Sequence, residues 1–417
     1  MPKTIGPGKK NLISVEFAAN ILLALLGVMC ALGLVEVALR LNPHLVPPDI
    51  PTFPPARRFT PSQDTWLDVR RSSGDLFTRL RDNLRPLSPS EDRLLERVHL
   101  QTDRQGFRNA EPWREKYDVV ALGDSFTYGT AVPSPWPERL AQVTNKSVLN
   151  LGWEGAGPLD ERDLFLQYGR TRSPQWVILA YFEANDLNDV RSYMQAEPLL
   201  LPRVVRFYVR KLIAWANPGQ SPSVSAVENP SPADYQYPIF IRVGEATVSV
   251  TLFDFYLSWL SASASDIRSS HNFRMLPELW RRINNEMKGS GSRLLIVFVP
   301  SKEHLFLRQI HEPEMVNRVL GKVPPIVLEP NGFLNQGNGT VDPDKLFARI
   351  DDQENVIAQA ASEIGADFLD LTPCFRQGIL HGSTLYYEFD THWNQAGHEL
   401  AAELIAEYLA KGKVACP

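Results

Sequence analysis

Three short polar blocks follow predicted apolar strands, and a fourth lies just before the last predicted helix. They are Gly123-Asp124-Ser125, NLGWEGAG (150–157), EANDLND (183–189) and EFDTHWN (388–394). The carboxyl ends of parallel strands meet at one edge of a sheet, so residues at those ends converge in space even when they are far apart in sequence. The four blocks therefore predict a single site.

The residue types in these blocks favour nucleophilic chemistry. Ser125 is the candidate nucleophile, and it needs a base to remove its proton. His392 is the candidate base, and Asp390 would fix its tautomer and stabilise the imidazolium formed during attack. An oxyanion would be stabilised by the Ser125 backbone N–H, a glycine N–H of the second block and the Asn185 side-chain amide.

Some of these residues also have simpler interpretations. Ser125 could cap a helix, because serine is a preferred N-cap residue. Asn185 could bond to the backbone of a turn. Glu388 could replace Asp390 as the partner of the histidine, since geometry decides which carboxylate reaches the ring.

A metal site is the other interpretation of the last block. It would use Asp390, His392 and His398, but no further ligand cluster supports it. We expect His398 to be a surface or packing residue and Asp186 and Asp189 to be structural. The sequence therefore predicts a site without a metal.

Serine and glycine motifs of other classes do not fit. An α/β-hydrolase elbow requires G-x-S-x-G, but Thr127 stands at the second glycine position. A P-loop ends in Gly-Lys-Ser/Thr, and the stretch after Ser125 has no lysine. The glycines of residues 150–157 are spaced G-x-x-G-x-G, which is not the dinucleotide fingerprint.

Five short runs, apolar on both faces, predict strands that are covered by helices on each side. They are residues 118–123, 147–152, 176–182, 293–300 and 367–371. Helical patterns separate them, and a last helix is predicted after Asn394 as its cap. This alternation implies a three-layer α/β/α sandwich with a parallel five-stranded sheet.

Composition and charge limit the partners. The chain has 417 residues, of which 44% are hydrophobic and 22% charged, and its net charge of −5 argues against a nucleic-acid partner. Cys30, Cys374 and Cys416 form no metal spacing. Cys374 and Cys416 could pair only if the fold brings them together.

The N-terminal region contains one long apolar run. Residues 17–35 are uncharged and bordered by Glu16 and Glu36. As a helix they would span roughly 28 Å, close to the hydrocarbon core of a bilayer. A cleaved signal peptide is the rival interpretation, but its apolar region would be shorter, and no clean small-x-small site follows. We expect a transmembrane helix in the bilayer of the cytoplasmic membrane, with the globular part in the periplasm or cell exterior because a short tail rarely crosses.

Four segments are predicted along the chain. They are a cytoplasmic tail (1–12), the transmembrane helix (13–40), a proline-rich spacer with an N-terminal extension (41–97) and the catalytic domain (98–411).

Finer features are expected within these segments. Seven prolines in residues 43–61 predict a stiff extended spacer, and residues 62–117 are expected to include a small hairpin. Insertions are expected at about 190–290 and about 320–345. The first should contain a Pro/Ser-rich loop (217–238) and a hairpin that turns at Gly244–Glu245, and the second should be a loop.

In this order the four blocks resemble the SGNH, or GDSL-type, hydrolase superfamily over roughly residues 98–411. GDS after a strand, N-x-G-x-x-G after the next, N-D after the third and a late D-x-H-W-N are specific in combination. The resemblance implies a flavodoxin-like fold and catalysis with neither metal nor cofactor. It implies the roles Ser125 nucleophile, His392 base, Asp390 partner of the base, and Ser125, Gly155 and Asn185 as oxyanion donors.

The sequence departs from the family pattern at two points. Glu183 stands where a glycine usually begins G-x-N-D, and the last block is Asp390-Thr391-His392 rather than D-x-x-H. The shorter form is similar to membrane-associated bacterial relatives, including the alginate O-acetyltransferase-like branch. That branch places its Asp and His before the serine, whereas here they follow it.

These observations predict a membrane-anchored serine esterase or O-acyltransferase. Water or a sugar hydroxyl would resolve an acyl-enzyme on Ser125, and an O-acetylated extracellular glycan is the expected substrate. A second hypothesis is a non-catalytic SGNH-fold subunit with a membrane-complex partner. A buried Ser125, or a site blocked by residues 190–290, would favour the second hypothesis.

Overall fold

The computed structural model describes residues 15–41, 61–80, 84–194, 237–244, 246–287 and 291–416, with scattered positions between 201 and 212. The predicted tail (1–12) lies outside the described residues. So do nearly all of the proline-rich spacer (43–61) and of the Pro/Ser-rich loop (217–238). The chain forms two compact units, one from residues 1–58 and 197–224 and the other from residues 59–196 and 225–417.

The first unit contains helix α1 (Val15–Leu41). Its segment Asn20–Leu39 includes an 18-residue window with a mean hydropathy of 2.5, and 6% of that window is buried. The helix is therefore long and apolar enough to cross a membrane. A signal sequence near the N-terminus would meet the same criteria.

The second unit contains all the strands of the described residues and fourteen named helices. Its strands are β1 (Asp64–Arg70), β2 (Leu94–Gln101), β3 (Val119–Leu122), β4 (Val148–Asn150), β5 (Trp176–Phe182), β6 (Ile239–Val243), β7 (Ala246–Val250), β8 (Arg293–Val299), β9 (Ile326–Leu328), β10 (Leu334–Gln336) and β11 (Asp367–Asp370). Its helices are α2 (Asp75–Arg79), α3 (Ser125–Tyr128), α4 (Trp136–Thr144), α5 (Pro158–Leu164), α6 (Asp186–Met194), α7 (Asp254–Trp259), α8 (Ala264–Ser269), α9 (His271–Glu286), α10 (Lys302–Leu307), α11 (Pro313–Leu320), α12 (Pro343–Arg349), α13 (Asp352–Glu363), α14 (Thr372–Leu380) and α15 (Gln395–Lys411).

The central sheet has five parallel strands in the order β11-β8-β5-β3-β4. Val119 of β3 lies opposite Val148 of β4 on one side and Trp176 of β5 on the other. The strand order thus reverses at β3, and in doubly wound sheets ligands bind outside the carboxyl ends of the strands at this point. All five predicted strands are present, and the predicted fold class is confirmed.

Alternate residues of each central strand face opposite layers, because side chains in a strand alternate with a period of two. In β3, Val119 and Ala121 join one buried cluster, and Val120 and Leu122 join the other. The first cluster includes side chains of α4, α14 and α15, and the second includes side chains of α5, α9 and α13. Both faces of the sheet are therefore covered by helices.

Strands β1 and β2 form an antiparallel pair, with Asp64 opposite Gln101. The small hairpin expected within residues 62–117 is thus present as a strand pair, but its connection, residues 71–93, is long and carries α2. In the first insertion Val243 lies opposite Ala246, which confirms a turn at Gly244; Glu245 lies outside the described residues.

The second insertion corrects a prediction. Residues 320–345 were expected to form a loop, but β9 and β10 pair there as antiparallel strands. Buried Ile326 and Leu334 hold them against the rest of the unit. Strands of three residues are too short to show a periodic pattern in the sequence.

The fold also brings two cysteines together. Cys374 of α14 and Cys416 near the C-terminus form a disulfide across a sequence separation of 42 residues. The sequence left this pairing open, because only the packing of the C-terminal residues decides it.

Candidate active site

Ser125 is the first residue of the short helix α3, directly after the end of β3. The preceding residue, Asp124, is the N-cap, and its Oδ1 accepts a hydrogen bond from the Phe126 backbone N–H at 2.9 Å. Asp124 therefore has the capping role that was an alternative for the serine. Ser125 is half-buried.

His392 and Asp390 lie on a loop that we call the histidine loop, residues 386–393. Nε2 of His392 is 2.7 Å from Ser125 Oγ, and its Nδ1 is 2.5 Å from Asp390 Oδ1. With the Nδ1–H donating to the Asp390 carboxylate, Nε2 is the acceptor for the serine hydroxyl. The structure therefore brings these three predicted residues together, with His392 between Ser125 and Asp390.

Glu388, the alternative partner of the histidine, faces elsewhere. Its carboxylate accepts hydrogen bonds from Arg71 at 2.6 and 2.7 Å and from the Ser249 hydroxyl at 2.5 Å. A bidentate arginine holds a carboxylate in one orientation. Of the two carboxylates considered, only Asp390 contacts the His392 ring.

Aromatic packing supports the ring of His392 from one side. The Phe126 ring centroid is 5.0 Å from that of His392, 4.2 Å from that of Phe182 and 5.2 Å from that of Trp393. Phe126 is buried and directly follows Ser125. The same short helix therefore carries the serine and packs against the histidine.

The two other predicted oxyanion donors lie beyond neighbouring strands. Gly155 follows β4 and has φ +67°, a conformation that favours glycine. Asn185 follows β5, and its amide is 3.5 Å from Asp124 Oδ2. The block around Gly155 is tied to the first block by the Trp153 N–H, which donates to the Gly123 carbonyl at 3.0 Å. The roles of Gly155 and Asn185 stay predictions.

Glu183, the first departure from the family pattern, is buried in a polar network. Its carboxylate accepts from the backbone N–H and the hydroxyl of Ser301, each at 2.9 Å, and lies 2.8 Å from Nδ1 of His304. Nε2 of His304 is 3.0 Å from Asp351. Burial lowers the pKa of His304, but these carboxylates raise it more, to about 9. Glu183 thus joins the end of β5 to the segment after β8, and these contacts give it a structural role.

Asp186 and His398, which lie near the motifs, take structural positions. Asp186 Oδ2 accepts from the Phe182 N–H at 2.8 Å. Nδ1 of buried His398 accepts from the Trp136 N–H at 3.2 Å, so His398 is a packing residue and does not approach the His392–Asp390 pair as a metal ligand would.

Sequence reasoning missed Lys302. This buried lysine is the first residue of α10, and its ammonium donates to the carbonyls of Tyr387, Glu388 and Asp390 at 3.2, 3.2 and 2.7 Å. Burial lowers the pKa of Lys302, while nearby carboxylates oppose that shift. Its only signal in the sequence is a charged residue two positions after a predicted buried strand.

The charges around His392 favour its protonated form. Burial lowers its pKa, but the charge and hydrogen bond of Asp390, with the charges of Asp75 and Asp124, raise it more, to about 9. Burial raises the pKa of Asp390, and its interactions with His392 outweigh that effect and leave this pKa lowered. The surrounding carboxylates thus stabilise the protonated ring, and His392 can accept the serine proton only in its neutral form.

One known protein family matches the C-terminal part of the chain. Residues 341–415 match the family described as "SGNH hydrolase-like domain, acetyltransferase AlgX", and the match includes Asp390 and His392. This C-terminal part of the chain is therefore similar to an SGNH hydrolase-like domain. No curated protein sequence is significantly similar to the chain.

Several solved structures also match this chain. An extracellular lipase from Streptomyces rimosus is 15% identical, with a TM-score of 0.34 and coverage of 69% of this chain and 99% of the lipase. Phospholipase A1 from Streptomyces albidoflavus is 13% identical, with a TM-score of 0.35 and coverage of 71% and 98%. An acetylxylan esterase from Geobacillus stearothermophilus is 15% identical, with a TM-score of 0.32 and coverage of 71% and 94%. At these TM-scores the likenesses carry no argument about function.

Proposed function

We propose that this protein is a membrane-anchored serine esterase or O-acyltransferase whose triad is Ser125, His392 and Asp390. The observation that carries the proposal is the 2.7 Å contact between Ser125 Oγ and His392 Nε2, with Asp390 bound to the opposite ring nitrogen. Acyl-ester chemistry is also the class to which the matched acetyltransferase family belongs.

The proposed reaction has two halves. Ser125 Oγ attacks the acyl carbonyl carbon while His392 Nε2 takes the hydroxyl proton, and Asp390 stabilises the imidazolium. The N–H groups of Ser125 and Gly155 and the Asn185 amide stabilise the oxyanion. The tetrahedral intermediate then expels the alcohol, which receives the proton from His392. Water or an acceptor hydroxyl attacks the acyl-enzyme in the same way and restores the serine.

An O-acetylated extracellular glycan is the proposed substrate. The family match names an acetyltransferase, and helix α1 is long and apolar enough to hold the domain at a membrane. The Cys374–Cys416 disulfide supports a location outside the cytoplasm, since disulfides persist in oxidising compartments.

Exposure of the site favours catalysis over the non-catalytic hypothesis. Ser125 is half-buried, and the His392 side chain is 31% exposed. An idle serine would not need a basic nitrogen within hydrogen-bonding distance of its hydroxyl.

Fluorophosphonate labelling of the full chain in detergent tests the proposed triad. Intact-mass analysis should find one adduct, lost in Ser125→Ala and His392→Ala and retained in the control Ser265→Ala, which alters an exposed serine of α8. No adduct on folded wild-type protein would contradict the proposal and favour a non-catalytic subunit.

A second experiment separates hydrolase from transferase. An activated acetyl ester is supplied with and without a glycan acceptor, and released acetate and acetylated glycan are measured. A transferase should move acetyl groups to the glycan faster than to water, whereas a hydrolase should release acetate at a rate that the glycan does not change.

The mass of the N-terminal peptide, measured on protein purified from membranes, tests whether α1 is kept as a membrane anchor. A retained α1 supports the anchor, and a chain cleaved after this helix would identify a signal peptide instead.

A further inference from the structure

The N-terminal extension reaches the candidate active site through α2. The Leu76 and Phe77 N–H groups both donate to the Phe389 carbonyl, at 3.0 and 3.3 Å. Just before α2, a Cβ on Gly74 would lie 2.0 Å from the same carbonyl oxygen, so only glycine allows this approach. The start of α2 is therefore packed directly on the histidine loop.

Asp75 makes two reciprocal contacts with this loop. Its backbone N–H donates to Asp390 Oδ2 at 3.3 Å, and its Oδ1 accepts from the Thr391 N–H at 3.2 Å. One side-chain oxygen or nitrogen from each of Asp75, Asp390 and His392 lies within 4.8 Å of the others. Two carboxylates, one from the extension and one from the loop itself, thus face one imidazole.

We propose that Asp75 is a positioning residue, through which the N-terminal extension holds Asp390 and His392 in the geometry that Ser125 requires. The inference rests on the proposed function. It makes the extension a part of the active site, although it lies more than 300 residues before the histidine in the sequence.

The charge of Asp75 supports this inference. It adds to that of Asp390 in raising the pKa of His392. Burial raises the pKa of Asp75 itself, as does the charge of Asp390, while the charge of His392, the Thr391 N–H and Arg79 at 3.2 Å oppose the shift. Other charged or titratable groups around His392 and its carboxylates include Asp124, Lys302, Glu303, His398, Tyr256 and Tyr387.

Two substitutions separate the charge of Asp75 from its hydrogen bond. Asp75→Asn keeps an oxygen that can accept from the Thr391 N–H but removes the charge, and Asp75→Ala removes both. Asp68→Asn is the matched control, because Asp68 is an exposed carboxylate of the same extension, on β1. The measurements on the full chain are the pH midpoint of His392, from NMR of ¹³C-labelled histidine assigned with His392→Ala, and the fluorophosphonate labelling rate at high pH.

Both Asp75 variants should lower the His392 midpoint by roughly one pH unit. Asp75→Ala should also reduce the high-pH labelling rate by roughly tenfold, while Asp75→Asn and Asp68→Asn should keep it. Wild-type midpoints and rates in both Asp75 variants would overturn the inference and leave the proposed function intact. If folded wild-type protein is never labelled, the proposed function fails; the NMR midpoints still decide whether Asp75 acts on His392.

Discussion

The two halves of the candidate site are positioned in different ways. Ser125 follows directly from a strand of the central sheet and is held by the capping carboxylate of the residue before it. His392 lies on the histidine loop, which is held by α2 on one side and by the ammonium of Lys302 on another. The nucleophile is thus positioned by local structure and the base by contacts between segments distant in sequence. Substitutions of the distant residues should therefore act mainly on the base.

The largest expected effect tests which carboxylate the histidine uses. Asp390→Asn should reduce the labelling rate of Ser125 by about 10⁴-fold, because the histidine loses the partner that fixes its tautomer. Glu388→Gln should change this rate by less than about fivefold, since Glu388 binds Arg71 and Ser249. Labelling kinetics measure both variants, and a larger loss in Glu388→Gln would reverse the assignment.

The pH dependence of the labelling rate tests how the charges around His392 act on it. Only the neutral imidazole can accept the serine proton, so the rate should rise with pH and level off above a midpoint of about 9. Between pH 9 and pH 7 the rate should fall by roughly fiftyfold. Labelling from pH 6 to pH 10, with circular dichroism to show that the fold is unchanged, measures this. A midpoint near 6.5 would mean that the carboxylates do not act on His392 as described.

Lys302→Met should disturb the histidine loop, because buried Lys302 donates hydrogen bonds to that loop. Three carbonyls of the histidine loop would lose a charged donor, which should cost about 2–4 kcal/mol of unfolding free energy. The displaced loop should slow labelling by up to about 10²-fold. Lys345→Met, at an exposed lysine paired with Asp342, is the control and should cost less than about 0.5 kcal/mol. Equal unfolding free energies for the two variants in urea would contradict this account.

The smallest expected effect concerns Gly155, a proposed oxyanion donor. Gly155→Ala and Gly339→Ala each place a side chain at a positive φ, +67° and +84°, and should each cost about 1 kcal/mol of stability. Only Gly155→Ala should slow labelling, by roughly tenfold, because it moves a proposed oxyanion donor. An equal loss of labelling in both variants would mean that Gly155 contributes only to stability.

Much of this fold could be predicted because its signals are local. Strands β3 and β5, and β8 after its first residue, are continuous apolar runs, which a strand buried on both faces requires. The polar blocks at the strand ends then indicate the position of the site. The sequence did not predict strands β9 and β10 or the long connection between β1 and β2. Short strands and distant partners leave no periodic pattern.

The sequence by itself determined the parallel sheet, the apolar N-terminal helix and the set of residues from which a site could be built. Only the tertiary structure decided that Asp390 rather than Glu388 faces His392, that Asp124 rather than Ser125 caps α3, and that Cys374 meets Cys416. It also brought Asp75 and Lys302 to the histidine loop. The physical reason is that hydrophobic periodicity is a property of neighbouring residues, whereas a hydrogen bond between distant segments depends on how the whole unit packs.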